Sequence, residues 1–296
     1  MDKLLIIGGS GLIGQKAMEL GKSKYEVFGT YNSHKPSDES IFKLDVTKKD
    51  ETFEIVKRLK PDFIIDTHTL PNIDYCEQHP DEAWEVNVVG TRNIAEAAKA
   101  IGAKFVHIST DIVFDGSKTD CTEDDKPNPV NYYAKTKVIE EAVTLSTDQN
   151  SIIVRTSVVY GKGGIGKVPF AVWLIGKLRN NETVMSVTDQ YNNPTLADQV
   201  VEAILKLFEK NGSGIFHVTG KDCLNRYEFS MCVAKIFALN DKLITPATSA
   251  EFKQVAKRPF KLQMNTDKIE RVTGMRMLHA EEGLKILKSQ LDKEQG

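Results

Sequence analysis

Along the first half of the chain, short apolar runs alternate with stretches of helical spacing, and glycine or proline marks most of the joins. Leu4-Leu5-Ile6-Ile7 is apolar at every position and runs into Gly8-Gly9, the pattern of a buried parallel strand. Leu12 to Leu20 follows with helical spacing. Tyr25–Tyr31, Ile41–Leu44, Phe63–Ile65, Lys104–Ile108 and Ile152–Arg155 predict further strands. Between them, about 48–60 reads as a helix that ends before Pro61. A longer helix opens at Pro80-Asp81-Glu82, with Pro in the first turn and two acids at the positive end of the dipole, and Gly102 stops it. Its apolar face carries Ala83, Asn87, Gly90, Ile94, Ala97 and Ile101. An Asn in that company needs a partner. It fixes backbone near a functional site, holds a water for proton relay, or makes a structural hydrogen bond only. Residues 131–145 form a further helix. The alternation predicts an α/β fold with a parallel, doubly wound sheet and right-handed crossovers.

The pattern loosens in the second half. Gly161 to Gly166 reads as a flexible glycine-rich loop, with a helix near 168–180 behind it. Asp189 to Thr195 is a polar loop before a helix at about 196–210, and Gly214 to Thr219 is a strand returning to the large sheet. Arg226–Leu239 and Ala280–Leu291 read as helices. The chain thus divides into a larger domain, 1–155 plus about 193–219, and a smaller α/β lobe, about 156–192 plus 220–296, that closes over a substrate.

Composition narrows the class. The 296 residues, 41% apolar and 27% charged, suffice for a large core in one or two domains. A net charge of -2 gives no reason to expect nucleic acid or an anionic membrane as partner. No stretch approaches the roughly 20 apolar residues of a membrane span. The start, Met1-Asp2-Lys3-Leu4-Leu5-Ile6-Ile7, lacks the long apolar region of a signal peptide, so a cytoplasmic protein is expected. Cys76, Cys121, Cys223 and Cys232 are scattered and read as reduced thiols. No metal-ligand cluster is visible, and no metal is expected in the active site. The oligomeric state is not legible; a homodimer is left open.

Two motifs carry candidate chemistry. In the first, glycines at 8, 11 and 14 sit between a strand and a helix. Gly8 suits a tight turn, Gly11 a close approach to a pyrophosphate and Gly14 close helix–strand packing, while the helix N-terminus offers N–H groups to the anion. An NAD-specific site places Asp or Glu at the end of the second strand. Here Thr30-Tyr31-Asn32-Ser33-His34-Lys35 has none. Ser33, His34 and Lys35 suit a 2′-phosphate, which predicts NADP(H) over NAD(H). Asp45 either accepts from an adenine amino group or caps the next helix. The loop Asp66-Thr67-His68-Thr69-Leu70-Pro71 lies at the carboxyl edge of the sheet, where such sheets bind ligands. His68 resembles a general base on paper, yet lining the cleft is the expected role.

In the second motif, Tyr133 and Lys137 stand one helical turn apart on one face. An ammonium there is expected to lower the phenol's pKa from about 10 and let it exchange a proton near neutral pH. The Thr110 hydroxyl can hold a substrate oxygen beside it. That is equipment for moving a proton to or from a carbonyl or alcohol oxygen while a cofactor moves hydride.

The set Gly8/Gly11/Gly14, Asn87, Thr110 and Tyr133/Lys137 resembles the extended short-chain dehydrogenase/reductase superfamily. Ile108-Ser109-Thr110-Asp111-Ile112-Val113-Phe114-Asp115-Gly116, Arg155-Thr156-Ser157, Asp189-Gln190 with Pro194-Thr195, and Ala256-Lys257-Arg258-Pro259 are similar to the dTDP-4-dehydrorhamnose reductase family. The resemblance covers nearly the whole chain and implies a Rossmann-like doubly wound sheet with a smaller substrate lobe. It implies Tyr133 as general acid, Lys137 as its pKa partner and ribose ligand, Thr110 on the substrate carbonyl, and Asn87 as the superfamily's active-site Asn. Ser10, Leu12 and Ile13 would join the glycines on the pyrophosphate, with Tyr31, Asn32, Asp45, Val46, Thr67 and His68 along the rest of NADPH. Asp111, Val158, Gln190, Asn193, Thr195 and Arg258 would border the nucleotide sugar. The implied reaction reduces the 4-keto group of dTDP-4-dehydro-L-rhamnose. Two departures touch the substrate side: Val158 stands where many such reductases have Trp, and Asp66-Thr67-His68 replaces a usual Asn-Ala-Ala. Other readings are another nucleotide-sugar reductase or epimerase, and a non-catalytic NADP-binding subunit like the β-subunit of methionine adenosyltransferase.

Overall fold

A computed structural model describes residues 1–166 and 168–293. Six strands follow in order: β1 (Lys3–Ile7), β2 (Glu26–Tyr31), β3 (Ile41–Lys43), β4 (Phe63–Asp66), β5 (Lys104–Thr110) and β6 (Ile152–Thr156). They join the strand Gly214–His217 in one seven-stranded sheet, ordered Gly214–His217, β6, β5, β4, β1, β2, β3. Every pairing in it is parallel. The strand order reverses between β1 and β4, which opens a crevice at their carboxyl ends. This is the doubly wound sheet the alternation predicts.

The apolar run of β1 is explained by burial on both faces. Leu4 and Ile6 pack with Ala17 and Met18 of α1 (Leu12–Gly21) and with Val200 and Ile204 of the helix Ala197–Glu209. Leu5 and Ile7 pack on the other face, with Ile55 and Val56 of α2 (Lys49–Leu59) and Ile94 and Ala98. A separate core joins Leu174, Phe229, Val233 and Leu284 in the smaller lobe. Ile269 and Met277, however, pack into the core under the large sheet, so the smaller lobe does not take all of 220–296.

The helix expected from Pro80 is interrupted. It is α-helical over Pro80–Ala83, widens to a π-helix over Trp84–Val89, and resumes over Gly90–Ile101. Such wide turns occur often at functional sites, and Asn87 lies in this one. Several short elements carry little sequence signal: α3 (Ile73–Gln78), capped by Asn72 Oδ1 on the Tyr75 N–H, the helix Asp267–Thr273, and the parallel pair Val184–Val187 with Ile244–Ala247. The glycine-rich loop leans on the start of α1: Ile165 N donates to Ser10 O at 2.9 Å and Gly164 N to Gln15 Oε1 at 2.7 Å. No helix among the described residues is long and apolar enough to cross a membrane.

Candidate active site

Asn131 starts the helix Tyr132–Thr147: its Oδ1 accepts the Ala134 N–H at 2.9 Å and its Nδ2 donates to Lys257 O at 2.9 Å. The cap fixes where Tyr133 emerges. Tyr133 and Lys137 line a cavity of about 460 Å³ together with Thr110 and Asp111 from the end of β5 and Thr67, His68 and Thr69 from the loop after β4. Val158, Gln190, Asn192, Arg226 and Arg258 close it from the other side. The two sequence motifs therefore meet where the sheet's carboxyl edge faces the smaller lobe.

The electrostatics differ from the simple Tyr–Lys pair. Burial raises the Tyr133 pKa and outweighs the pull of Lys137, while the Glu140 carboxylate adds to the rise. The expected lowering is thus outweighed, and the Lys137 charge is shared with other partners. Its ammonium donates to Glu140 Oε2 at 2.6 Å, Ile108 O at 2.8 Å and His107 Nε2 at 3.0 Å. These three acceptors use its three N–H bonds.

Behind Lys137 lies a buried charged chain. His107 Nε2 accepts the Lys137 N–H, so its Nδ1 donates to Asp66 Oδ2 at 2.8 Å. The other Asp66 oxygen meets His68 Nδ1 at 2.5 Å, and His68 Nε2 lies 3.0 Å from Val86 O. Both His68 partners are acceptors, so both ring nitrogens donate. Burial opposes that charge, but Asp66 overcomes it and raises the His68 pKa. His68 lines the cleft, with no nitrogen open to act as a general base.

Asn87 is fully buried. Its Oδ1 accepts the Leu70 N–H at 2.7 Å and its Nδ2 donates to Thr136 Oγ1 at 3.1 Å. It ties the loop after β4 to the Tyr133 helix, so its bonds fix backbone beside the cleft.

On the substrate side two expectations need correction. Asn193 and Thr195 do not border the cavity; they are 1% and 0% exposed. Asn193 Nδ2 donates to Gly220 O at 3.0 Å and its Oδ1 accepts the Met264 N–H at 3.0 Å. Thr195 Oγ1 donates to Asn193 O at 2.8 Å and accepts from Gly220 N at 3.1 Å. Both are scaffold, and Asn192 takes the lining place instead, its Nδ2 on Asp111 Oδ2 at 3.1 Å. Asp111 also accepts from Ser157 Oγ and Thr110 Oγ1, and burial raises its pKa. Val158 holds φ at +39°, strained for a β-branched residue. Arg226 lines the cleft too and escaped sequence reading, since a lone Arg after a capping Asn carries no motif.

Gly8 and Gly11 form the tight turn between β1 and α1, and Gly14 follows within α1. Gly8 has φ +83°, and a Cβ there would meet Thr67 Oγ1 at 2.8 Å. A Cβ on Gly14 would stand 2.2 Å from Gly8 O. Gly11 precedes α1 with no side-chain cap, and no acid occupies the first turn, so no side chain of the cap satisfies the first N–H groups of the helix. The Thr67 hydroxyl braces this turn, donating to Ile7 O at 2.9 Å; expected on the cofactor, it is spent on backbone. Asp45 does not cap α2, whose N-cap is Lys48. It accepts from Thr47 N at 3.0 Å and Thr47 Oγ1 at 2.7 Å through Oδ1. Asn32, Ser33, His34 and Lys35 are exposed beyond β2, next to the half-buried Tyr31, and Val46 is buried against the Asn93 side chain.

Residues 2–292 match the family described as the RmlD substrate binding domain. The chain belongs to this family. It is 30% identical to dTDP-4-dehydrorhamnose reductase of Aggregatibacter actinomycetemcomitans, over 98% of this chain and 99% of that protein. The crystal structure of dTDP-4-dehydrorhamnose reductase from Bacillus anthracis in complex with NADP is similar with a TM-score of 0.88 at 28% identity, over 98% of this chain and 99% of that one. Methionine adenosyltransferase 2 subunit beta of Xenopus tropicalis is 28% identical, over 91% of this chain and 82% of that protein. Membership places the chain in the extended short-chain dehydrogenase/reductases and makes it an NAD(P)-dependent oxidoreductase.

Proposed function

We propose that this chain reduces the 4-keto group of dTDP-4-dehydro-L-rhamnose to dTDP-L-rhamnose, with NADPH preferred over NADH. The observation that carries the reading is the convergence of Tyr133, Thr110 and Lys137 on one cleft at the carboxyl edge of the sheet. NADPH supplies the hydride for C4. Tyr133 gives its proton to O4, which Thr110 holds by a hydrogen bond. Because burial raises its pKa, Tyr133 stays protonated through the neutral range and is ready to donate. As the proton leaves, the Lys137 charge stabilises the phenolate that forms. Asn87 keeps Leu70 and the Tyr133 helix in register. Gly8, Ser10, Gly11, Leu12, Ile13 and Gly14 hold the pyrophosphate. The lack of a carboxylate over Thr30–Lys35 at the end of β2, with Ser33, His34 and Lys35 exposed there, supports the NADPH preference. The smaller lobe, with Val158, Gln190 and Arg258 facing the cleft, closes over the sugar nucleotide.

A second reading, an NADP-binding regulatory subunit, draws support from the fully bonded Lys137 and from the relatives named as methionine adenosyltransferase subunits. The test is NADPH consumption with dTDP-4-dehydro-L-rhamnose, beside an NADH control. Turnover that drops about 100-fold or more in Tyr133→Phe supports reduction through Tyr133. NADPH binding without turnover on any keto sugar favours the regulatory subunit.

A further inference from the structure

The cationic side chains of the cleft differ in how their charge is met. Arg258 donates to Asp74 Oδ1 at 2.9 Å and to Ala256 O at 2.6 Å. Lys137 has Glu140. Arg226 has no carboxylate and no hydrogen-bond acceptor among the described residues; its guanidinium lies 4.3 Å from the centroid of the Phe170 ring. Burial draws its pKa down to about 10, and no acid offsets the loss. It therefore remains a cation at neutral pH, held against an aromatic face in a partly dry wall. An unpaired charge in such a place is costly unless a counter-charge arrives.

Its position is rigid. Asn225 and Glu228 form a capping box around the first turn of the helix Arg226–Phe237, so Arg226 is set by the helix start. It shares the cleft wall with Val158 and Asn192. Thr156 Oγ1, buried in the same wall, also lacks a partner among the described residues.

We propose that Arg226 is the anion-recognising residue of the substrate cleft and that its guanidinium binds an oxyanion of the substrate, either a phosphate of the nucleotide linkage or a carboxylate on the sugar. The proposal rests on the nucleotide-sugar reading. Stacking on Phe170 orients the planar fork, which leaves its N–H edges for a bidentate contact. A substrate with no anion at this point leaves the charge unmet and is disfavoured, so Arg226 acts in specificity.

The test titrates protein saturated with NADP+ by calorimetry, for wild type, R226Q and R226K. The probes are dTDP, thymidine, UDP-glucuronic acid, UDP-glucose and inorganic pyrophosphate. If a phosphate is bound, R226Q weakens dTDP and pyrophosphate roughly 10- to 100-fold and leaves thymidine unchanged. If a sugar carboxylate is bound, R226Q weakens UDP-glucuronic acid by that factor and leaves UDP-glucose unchanged. NADP+ affinity stays the same in both variants. Equal affinities for every probe in R226Q and wild type overturn the proposal, whatever the enzyme's activity. Pyrophosphate binding through Arg226 with no nucleotide binding sinks the nucleotide-sugar reading but keeps the anion site. A wild-type protein that takes no probe overturns both. Should R226Q also lose NADP+ binding, R226K decides: weaker probe binding at unchanged NADP+ affinity supports the proposal, and unchanged probe binding overturns it.

Discussion

Replacing Glu140 with Gln tests the buried charges behind Lys137. The Glu140 carboxylate is fully buried, 2.6 Å from Lys137 Nζ and 3.1 Å from His107 Nε2. Burial alone would raise its pKa, but the Lys137 ammonium beside it holds it down to about 2, against an ordinary 4.5. That difference corresponds to about 3 kcal/mol of stability. Because the folded pKa is depressed, the contribution is complete above pH 4.5 and is lost as pH falls toward 2. Gln keeps the shape and removes the charge, leaving the Lys137 ammonium buried without a counter-ion, a change of about 3–5 kcal/mol. Urea denaturation followed by circular dichroism reads the effect. The variant is expected to lose at least about 3 kcal/mol at pH 7, and its gap to wild type is expected to narrow by about 1 kcal/mol by pH 3.5. A loss below about 1 kcal/mol at pH 7, or a gap that does not change with pH, would refute this account of Lys137.

Two further predictions follow from the turn and the clamp. Gly14→Ala places a Cβ 2.2 Å from Gly8 O, so the start of α1 must move; NADPH affinity is expected to fall at least about tenfold, with about 1–3 kcal/mol lost in denaturation. Unchanged NADPH titration would contradict the packing role of Gly14. Asn87→Ala leaves the half-buried Leu70 N–H without its acceptor and is expected to cost about 1–3 kcal/mol, with kcat reduced more than KM for NADPH; equal stability in thermal melts would count against the clamp.

The sheet and the Tyr133 helix were legible in the sequence because their signals are local. A strand buried on both faces must be apolar throughout, as Leu4–Ile7 is, and Gly8 and Gly14 stand where backbone conformation or contact leaves no room for a side chain. Tyr133 and Lys137 are brought onto one face by helical spacing alone, and Thr110 follows at the end of β5. What the tertiary structure decided is the charge state of that set and the makeup of the substrate wall. Glu140 is only a helix neighbour of Lys137 in sequence, whereas His107 and Asp66 come from two adjacent strands. The pKa of Tyr133 rises because burial of the phenol, with the Glu140 carboxylate adding to it, outweighs the pull of Lys137, a balance that no spacing encodes. Asn193 and Asn192 are neighbours of the same type, yet only packing against Gly220 and Met264 turns one into scaffold while the other faces the cleft. Arg226 became visible for the same reason: a cation is notable where the fold half-buries it and places no carboxylate beside it.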